Sequence, residues 1–61
     1  MDKQKFDVVG FIMDYENGTL AEVEMINGFQ ELINSGIVWG LQGHYGRTAK
    51  KLIELGYCKQ V

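Results

Sequence analysis

The sequence predicts an all-α fold, a small three-helix bundle that consists of a helical hairpin and a third helix after a glycine-rich turn. Three segments of the 61-residue chain carry apolar residues at helical spacing, proline is absent, and glycines stand where the segments end. Such spacing is typical of helices that bury one face. A chain of this length forms one domain, for which we expect an N-terminal tail at 1–6, a helical domain at 7–58 and a C-terminal tail at 59–61.

The first predicted helix covers residues 7–17. Asp7 suits the N-cap, because a short side-chain oxygen can accept a hydrogen bond from a free amide of the first turn. Gly18 suits the position after the last turn, where a positive φ is common. We also expect Gly10 to let another helix approach closely. The apolar stripe of this helix consists of Val8, Phe11, Ile12 and Tyr15.

The second predicted helix covers residues 20–34 and starts with a capping-box pattern, Thr19 followed by Glu22. Its expected apolar stripe consists of Val23, Ile26, Phe29 and Ile33, widened by Met25 and Leu32. Ile37, Val38 and Trp39 come next, and we interpret them as a helical turn because no second strand is present to pair with them. The third helix ends at Leu55-Gly56, and its apolar stripe consists of Tyr45, Thr48, Ala49, Leu52 and Ile53.

Composition excludes several classes of protein. No apolar run approaches the roughly 18–20 residues that a membrane span needs, so we expect no membrane association. The single cysteine, Cys58, cannot form an internal disulfide, which indicates a reducing compartment. His44 is the only histidine and has no partner at metal-ligand spacing. We therefore expect no enzymatic activity, no catalytic residue, no cofactor and no metal.

The net charge of −2 hides an uneven distribution along the chain. Residues 6–46 contain six acidic residues and no lysine or arginine, whereas residues 47–61 contain four basic residues and one glutamate. Two interpretations stay open. The asymmetry steers a partner or a second subunit, or the acidic helices pack against the basic third helix and the charges neutralise each other.

Two sets of residues are candidates for binding. Trp39 suits either the core, which we favour, or the anchor of a protein interface, and an acidic surface next to such an anchor would consist of Glu16, Glu22 and Glu24. Glycines at 40, 43 and 46 precede the basic helix, where an anion or nucleic acid could bind to His44, Arg47, Lys50 and Lys51. No phosphate-loop lysine follows these glycines, and we favour tight helix packing and turn geometry as their explanation.

Three runs of the chain resemble a family of short proteins that tailed bacteriophages encode. The similarity spans residues 6–58, rests on residues 28–36, 39–49 and 52–58, and is most specific in the run Leu41-Gln42-Gly43-His44-Tyr45-Gly46-Arg47-Thr48-Ala49. The resemblance implies a phage accessory protein that acts in the cytoplasm of the bacterial host. It implies no catalytic or ligand-binding residue.

These observations together predict a small protein that binds a host protein and inhibits or modulates it, in host takeover or against a defence system. The alternative is a small nucleic-acid-binding regulator that uses the basic third helix, and a weaker alternative is a structural or assembly component of the virion. A homodimer is also expected, because a chain this small leaves apolar surface exposed as a monomer.

Overall fold

The computed structural model describes residues 6–60, and within them it contains three α-helices, one 3₁₀ helix and no strand. Helix α1 is Val8–Asn17, α2 is Glu22–Ser35, the 3₁₀ helix is Ile37–Gly40, and α3 is Gly43–Glu54. The predicted all-α three-helix bundle is confirmed. The 3₁₀ helix confirms a helical turn, rather than a strand, before the third helix.

The ends of α1 follow the local sequence. The Asp7 carboxylate accepts a hydrogen bond from the Gly10 amide at 3.0 Å, which confirms the predicted N-cap. Gly18 has φ 73°, and Gly36 and Gly56 have φ 80° and 87° after the next helices. Each of these glycines adopts a left-handed conformation that a side chain would disfavour, so all three mark where a helix stops.

The start of α2 differs from the predicted capping box at Thr19. The helix begins two residues later than that box requires, and it is the Glu24 carboxylate that accepts a hydrogen bond from the Ala21 amide at 3.0 Å. The amide and the hydroxyl of Thr19 both donate to the Asp14 carbonyl, at 3.1 and 3.2 Å. Thr19 therefore completes the end of α1 and is not available to cap α2.

The core takes residues from every element of the fold. Val23, which the sequence placed on the apolar stripe of α2, is instead 67% exposed, because the whole first turn of that helix lies in solvent. The buried residues are Phe11, Phe29, Leu32, Ile33, Val38, Tyr45, Ala49, Leu52 and Cys58. Burial of these side chains supplies the main stabilisation of the chain.

Helices α1 and α2 approach each other at Gly28, a position that the sequence did not single out. A Cβ atom on Gly28 would overlap the Phe11 ring, so this aromatic side chain lies directly on the backbone of α2. Gly10, where we expected a close helix approach, instead faces the Asp7 carboxylate of its own N-cap. The close contact between the helices thus depends on a glycine in α2 and not on the one in α1.

The segment after α3 is held against α2. The Gln30 side-chain amide donates to the Lys59 carbonyl at 2.8 Å, and the Lys59 amide donates to the Gln30 side-chain oxygen at 2.7 Å. Cys58 is buried next to this clamp, and burial raises the pKa of its thiol. Lys59, which we placed in the C-terminal tail, is therefore tied to α2 through its backbone. Residues 1–5 and 61 of the two predicted tails lie outside the described residues.

We predict that Gly28→Ala lowers the free energy of unfolding by about 1–3 kcal/mol, because overpacking forces the Phe11 ring to move. Gly40→Ala is the matched control, since its Cβ would meet no atom within 4 Å and its φ is not positive. Chemical denaturation of both variants checks the prediction. A Gly28→Ala protein as stable as Gly40→Ala would contradict the close approach of α1 and α2.

Candidate functional site

Trp39 lies on the surface of the bundle, next to α3. The side chain is 47% exposed, whereas its neighbour Val38 is completely buried, because successive residues of the 3₁₀ helix point in different directions. The prediction that Trp39 belongs to the core is therefore wrong. Val38 is the core residue of this segment. The exposed position suits the alternative that the sequence left open, an anchor for a partner.

The Trp39 ring lies beside one face of α3. A Cβ atom on Gly46 would stand 3.8 Å from Cε3 of the indole, which is an ordinary contact distance, so the ring packs next to this turn of the helix. Lys50 and Ile53 continue this face at helical spacing, and with Trp39 they line an open groove of about 500 Å³. We call this surface the Trp39 groove; Glu54 and Gln60 complete its lining.

The basic residues of α3 divide between two surfaces. Lys50 lines the Trp39 groove, whereas Arg47 and Lys51 line a second groove together with His44. The four residues that the sequence grouped as one candidate site, His44, Arg47, Lys50 and Lys51, therefore line two different grooves. Consecutive residues of a helix differ in direction by about 100°, so Lys50 and Lys51 diverge. We call the surface of His44, Arg47 and Lys51 the basic face.

His44 packs against two tyrosines at the start of α3. Its ring is nearly parallel to that of Tyr15, at 6.4 Å between centroids and 14° between planes. It also lies 4.1 Å from the centre of the Tyr45 ring. These contacts hold the His44 ring in place. His44 therefore belongs both to the basic face and to the edge of the aromatic cluster.

Glu16 is exposed to solvent, and its carboxylate also makes a contact between two helices. The buried Tyr45 hydroxyl donates a hydrogen bond to the Glu16 carboxylate at 2.6 Å, which joins the end of α1 to the start of α3. Burial and this hydrogen bond raise the pKa of Tyr45 to about 12. The two residues are 29 positions apart, so nothing in the local pattern of either helix indicates the contact.

The three acidic residues that the sequence grouped for protein binding do not form one surface. Glu16 contacts Tyr45, and Glu24 caps α2 and lines a groove between α1 and α2. Glu22 is exposed on the first turn of α2, where two residues of separation place it about 200° around the helix from Glu24. Of these three residues, only Glu24 lines the groove between α1 and α2.

The acidic and basic side chains of the described residues do not pair through hydrogen bonds. Within residues 6–60, no such bond joins a lysine or arginine to a carboxylate. The same part of the chain brings together no group of three histidine, cysteine or acidic side chains that could hold a metal ion. It also contains no helix with the length and apolar character needed to cross a bilayer.

Comparison with known families matches residues 2–61 to the model of a family described as a domain of unknown function, DUF7417. Searches of curated proteins and of solved structures each found no match. The family match covers nearly the whole chain, and its description names no activity, ligand or partner. Any functional interpretation of the grooves therefore rests on their own residues.

We predict that the stability contributed by Tyr45 falls as pH rises from about 10 to about 12. The phenol titrates near pH 10 in an unfolded chain and has a pKa of about 12 in the fold, so its contribution is complete below about pH 10. At neutral pH, Tyr45→Phe should lose about 1.5 kcal/mol with the hydrogen bond to Glu16.

Urea denaturation of the parent protein and of Tyr45→Phe, at neutral pH and across this alkaline range, measures both effects. Tyr57→Phe is the control, because Tyr57 is 59% exposed. Its stability should follow the parent curve. If Tyr45→Phe shows the same alkaline loss as the parent protein, the contact with Glu16 does not determine that loss.

Proposed function

Because the chain belongs to the DUF7417 family, whose description assigns no activity, we propose a function from its surfaces: the protein is a small binding module that docks on another protein through the Trp39 groove. The exposure of Trp39 is the observation that carries this proposal. Tryptophan is the residue most enriched among those that dominate binding energy at protein interfaces. A chain with so small a core would gain stability if it buried its single tryptophan. Trp39 nevertheless lies on the surface.

The surroundings of Trp39 support a protein partner. Ile53 gives the groove an apolar floor, and Lys50, Glu54 and Gln60 place polar groups around it. An apolar centre with a polar rim is the usual arrangement of a protein–protein interface. The indole can bury its ring against a partner and still donate a hydrogen bond through its ring nitrogen.

The biological role that we propose is that of a phage accessory protein, which binds a host protein in the bacterial cytoplasm and inhibits or modulates it by steric blockade. The resemblance of residues 6–58 to short proteins of tailed bacteriophages supports this role. We also propose a homodimer of the partner-free protein, because a two-fold pairing of Trp39 grooves would bury the exposed indole and Ile53. A host protein that docks on the same groove would compete with this pairing.

A second candidate function is nucleic-acid binding through the basic face. The observation that favours it is that His44, Arg47 and Lys51, from the first to the last turn of α3, line one groove. Against it stand the six acidic residues of positions 6–46, which repel a phosphate backbone. Lys50 would contribute less than the sequence suggested, because it lines the Trp39 groove.

We predict that Trp39→Ala weakens partner binding by about 30-fold or more, the loss expected when a central aromatic anchor of an interface is truncated. Immobilised parent protein captures partners from a bacterial lysate, and calorimetry with the purified partner then compares the variants. Tyr57→Ala is the matched control, since it removes an aromatic ring that is 59% exposed but does not line the groove.

Equal losses in Trp39→Ala and Tyr57→Ala would contradict the assignment of the Trp39 groove as the docking site. Sedimentation of the parent protein and of Trp39→Ala tests the dimer. We expect the parent to associate at high micromolar concentration and the variant to dissociate. The emission of the single tryptophan should move to shorter wavelength as the parent associates.

For the second candidate, we predict weak or no retardation of duplex DNA and of RNA in gels at two salt concentrations. If the basic face does bind phosphates, affinity should fall with salt at a log–log slope of about −0.9 per contact on duplex DNA. The double variant Arg47→Ala, Lys51→Ala should then lose binding, whereas Lys50→Ala, Lys59→Ala removes the same charge elsewhere and should keep it. That pattern would replace the protein-binding proposal with a nucleic-acid-binding one.

A further inference from the structure

A second groove lies between α1 and α2, away from the residues that line the Trp39 groove. It has a volume of about 500 Å³, and its apolar lining includes Phe6, Phe11 and Leu20. The rings of Phe6 and Phe11 lie 5.6 Å apart, and Phe6 is 37% exposed. The groove is thus an apolar surface that the folded chain leaves open to solvent.

Two glycines let side chains that line this groove pack on helix backbones. Gly28 lines it and has no side chain to hold the Phe11 ring away from α2, so the ring packs on the helix backbone. Gly10 lines the α1 side in the same way, next to the Asp7 carboxylate. The Phe11 ring and the Asp7 carboxylate occupy the spaces that side chains at Gly28 and Gly10 would need, so both lie close to the helix backbones and the groove stays open above them.

Four carboxylates line the groove, and among residues 6–60 no lysine or arginine does. Asp7 and Asp14 belong to the α1 side, and Glu24 and Glu31 to α2. Each pair is seven residues apart, which corresponds to two turns and about 10 Å along a helix. Asp7 and Glu24 are also held in place, because each accepts a hydrogen bond from a backbone amide.

The lining of this groove indicates which chemical groups a bound partner would carry. The carboxylates attract cationic groups, and their spacing suits two cations about two helical turns apart. The apolar lining between them suits side chains such as leucine at the intervening positions. A helix with arginine or lysine at positions i and i+7 and leucine at i+3 and i+4 presents these groups on one side.

We propose that the α1–α2 groove docks a basic amphipathic helix of a partner protein, with its apolar residues on Phe6, Phe11 and Leu20 and its cationic residues against the four carboxylates. The proposal goes beyond the function assigned to the Trp39 groove, because the two grooves share no lining residue within the part of the chain that the structure describes. A failure of either assignment leaves the other one standing.

The probe is a fluorescently labelled, alanine-based helical peptide that carries arginines at i and i+7 and leucines at i+3 and i+4. Anisotropy measures its binding to the parent protein at low and at physiological salt. Two control peptides carry glutamate in place of arginine, or serine in place of leucine. We expect binding of the first peptide alone, with weaker affinity at higher salt because the charges are screened.

The decisive comparison uses two double variants with the same change in net charge. Asp14→Asn, Glu31→Gln removes two groove carboxylates whose side chains form no hydrogen bond within the described residues. Glu22→Gln, Glu54→Gln removes two carboxylates that do not line this groove. We expect the first variant to bind the peptide about tenfold more weakly, and the second to stay within about twofold of the parent.

Chemical-shift changes on peptide addition locate the site, and we expect them at Phe6, Phe11, Leu20 and Gly28. Changes centred on Trp39 and Ile53, equal losses in the two double variants, or full binding of the serine-substituted peptide would each overturn the proposal. So would concentration-dependent dimerisation that Asp14→Asn, Glu31→Gln abolishes, because a second copy of this chain would then occupy the groove.

Discussion

Phe29 lies at the centre of the aromatic cluster that joins the three helices. Its ring meets Phe11 and Tyr15 of α1 edge-on, at 5.6 and 5.4 Å between centroids, and it lies 6.3 Å from Tyr45 of α3. Edge-to-face packing of aromatic rings is favourable beyond the area it buries. Because Phe29 is fully buried and touches both other helices, the relative positions of α1 and α3 depend on it.

Two polar contacts add to the stabilisation that the aromatic cluster provides. The Tyr45 hydroxyl extends past the apolar core to the Glu16 carboxylate, and Gln30 binds the backbone of Lys59 on another side of α2. A chain of this size buries little apolar surface, so contacts that join its ends to its centre matter more than in a large domain. The fold is therefore held by one aromatic cluster and by polar contacts between residues far apart in sequence.

The small core also determines which surfaces remain for binding. Val38 fills the space beneath the 3₁₀ helix, and the adjacent Trp39 lies outside against α3. Phe11 packs on the backbone at Gly28, which leaves an apolar groove with carboxylates on both sides. The two proposed docking surfaces thus result from the same packing that stabilises the chain, and they differ in chemistry. One offers an aromatic anchor and the other an acidic groove.

The sequence alone determined the features that depend on neighbours within one or two helical turns. The number of helices, the Asp7 cap and the stops at Gly18, Gly36 and Gly56 follow from backbone preferences of single residues. The buried stripe of α3 follows from its helical spacing, as Tyr45, Ala49 and Leu52 are all buried.

Only the tertiary structure decided which of the apolar and charged residues belong to the core and which to a surface. Thr19 completes α1 instead of capping α2. Val38 is buried in the core, whereas the adjacent Trp39 is exposed. Glu16 accepts a hydrogen bond from a tyrosine 29 residues away, a contact that the composition does not indicate. These outcomes depend on which helices pack together and on which turns of each helix are in contact. The apolar pattern of a single helix does not specify either.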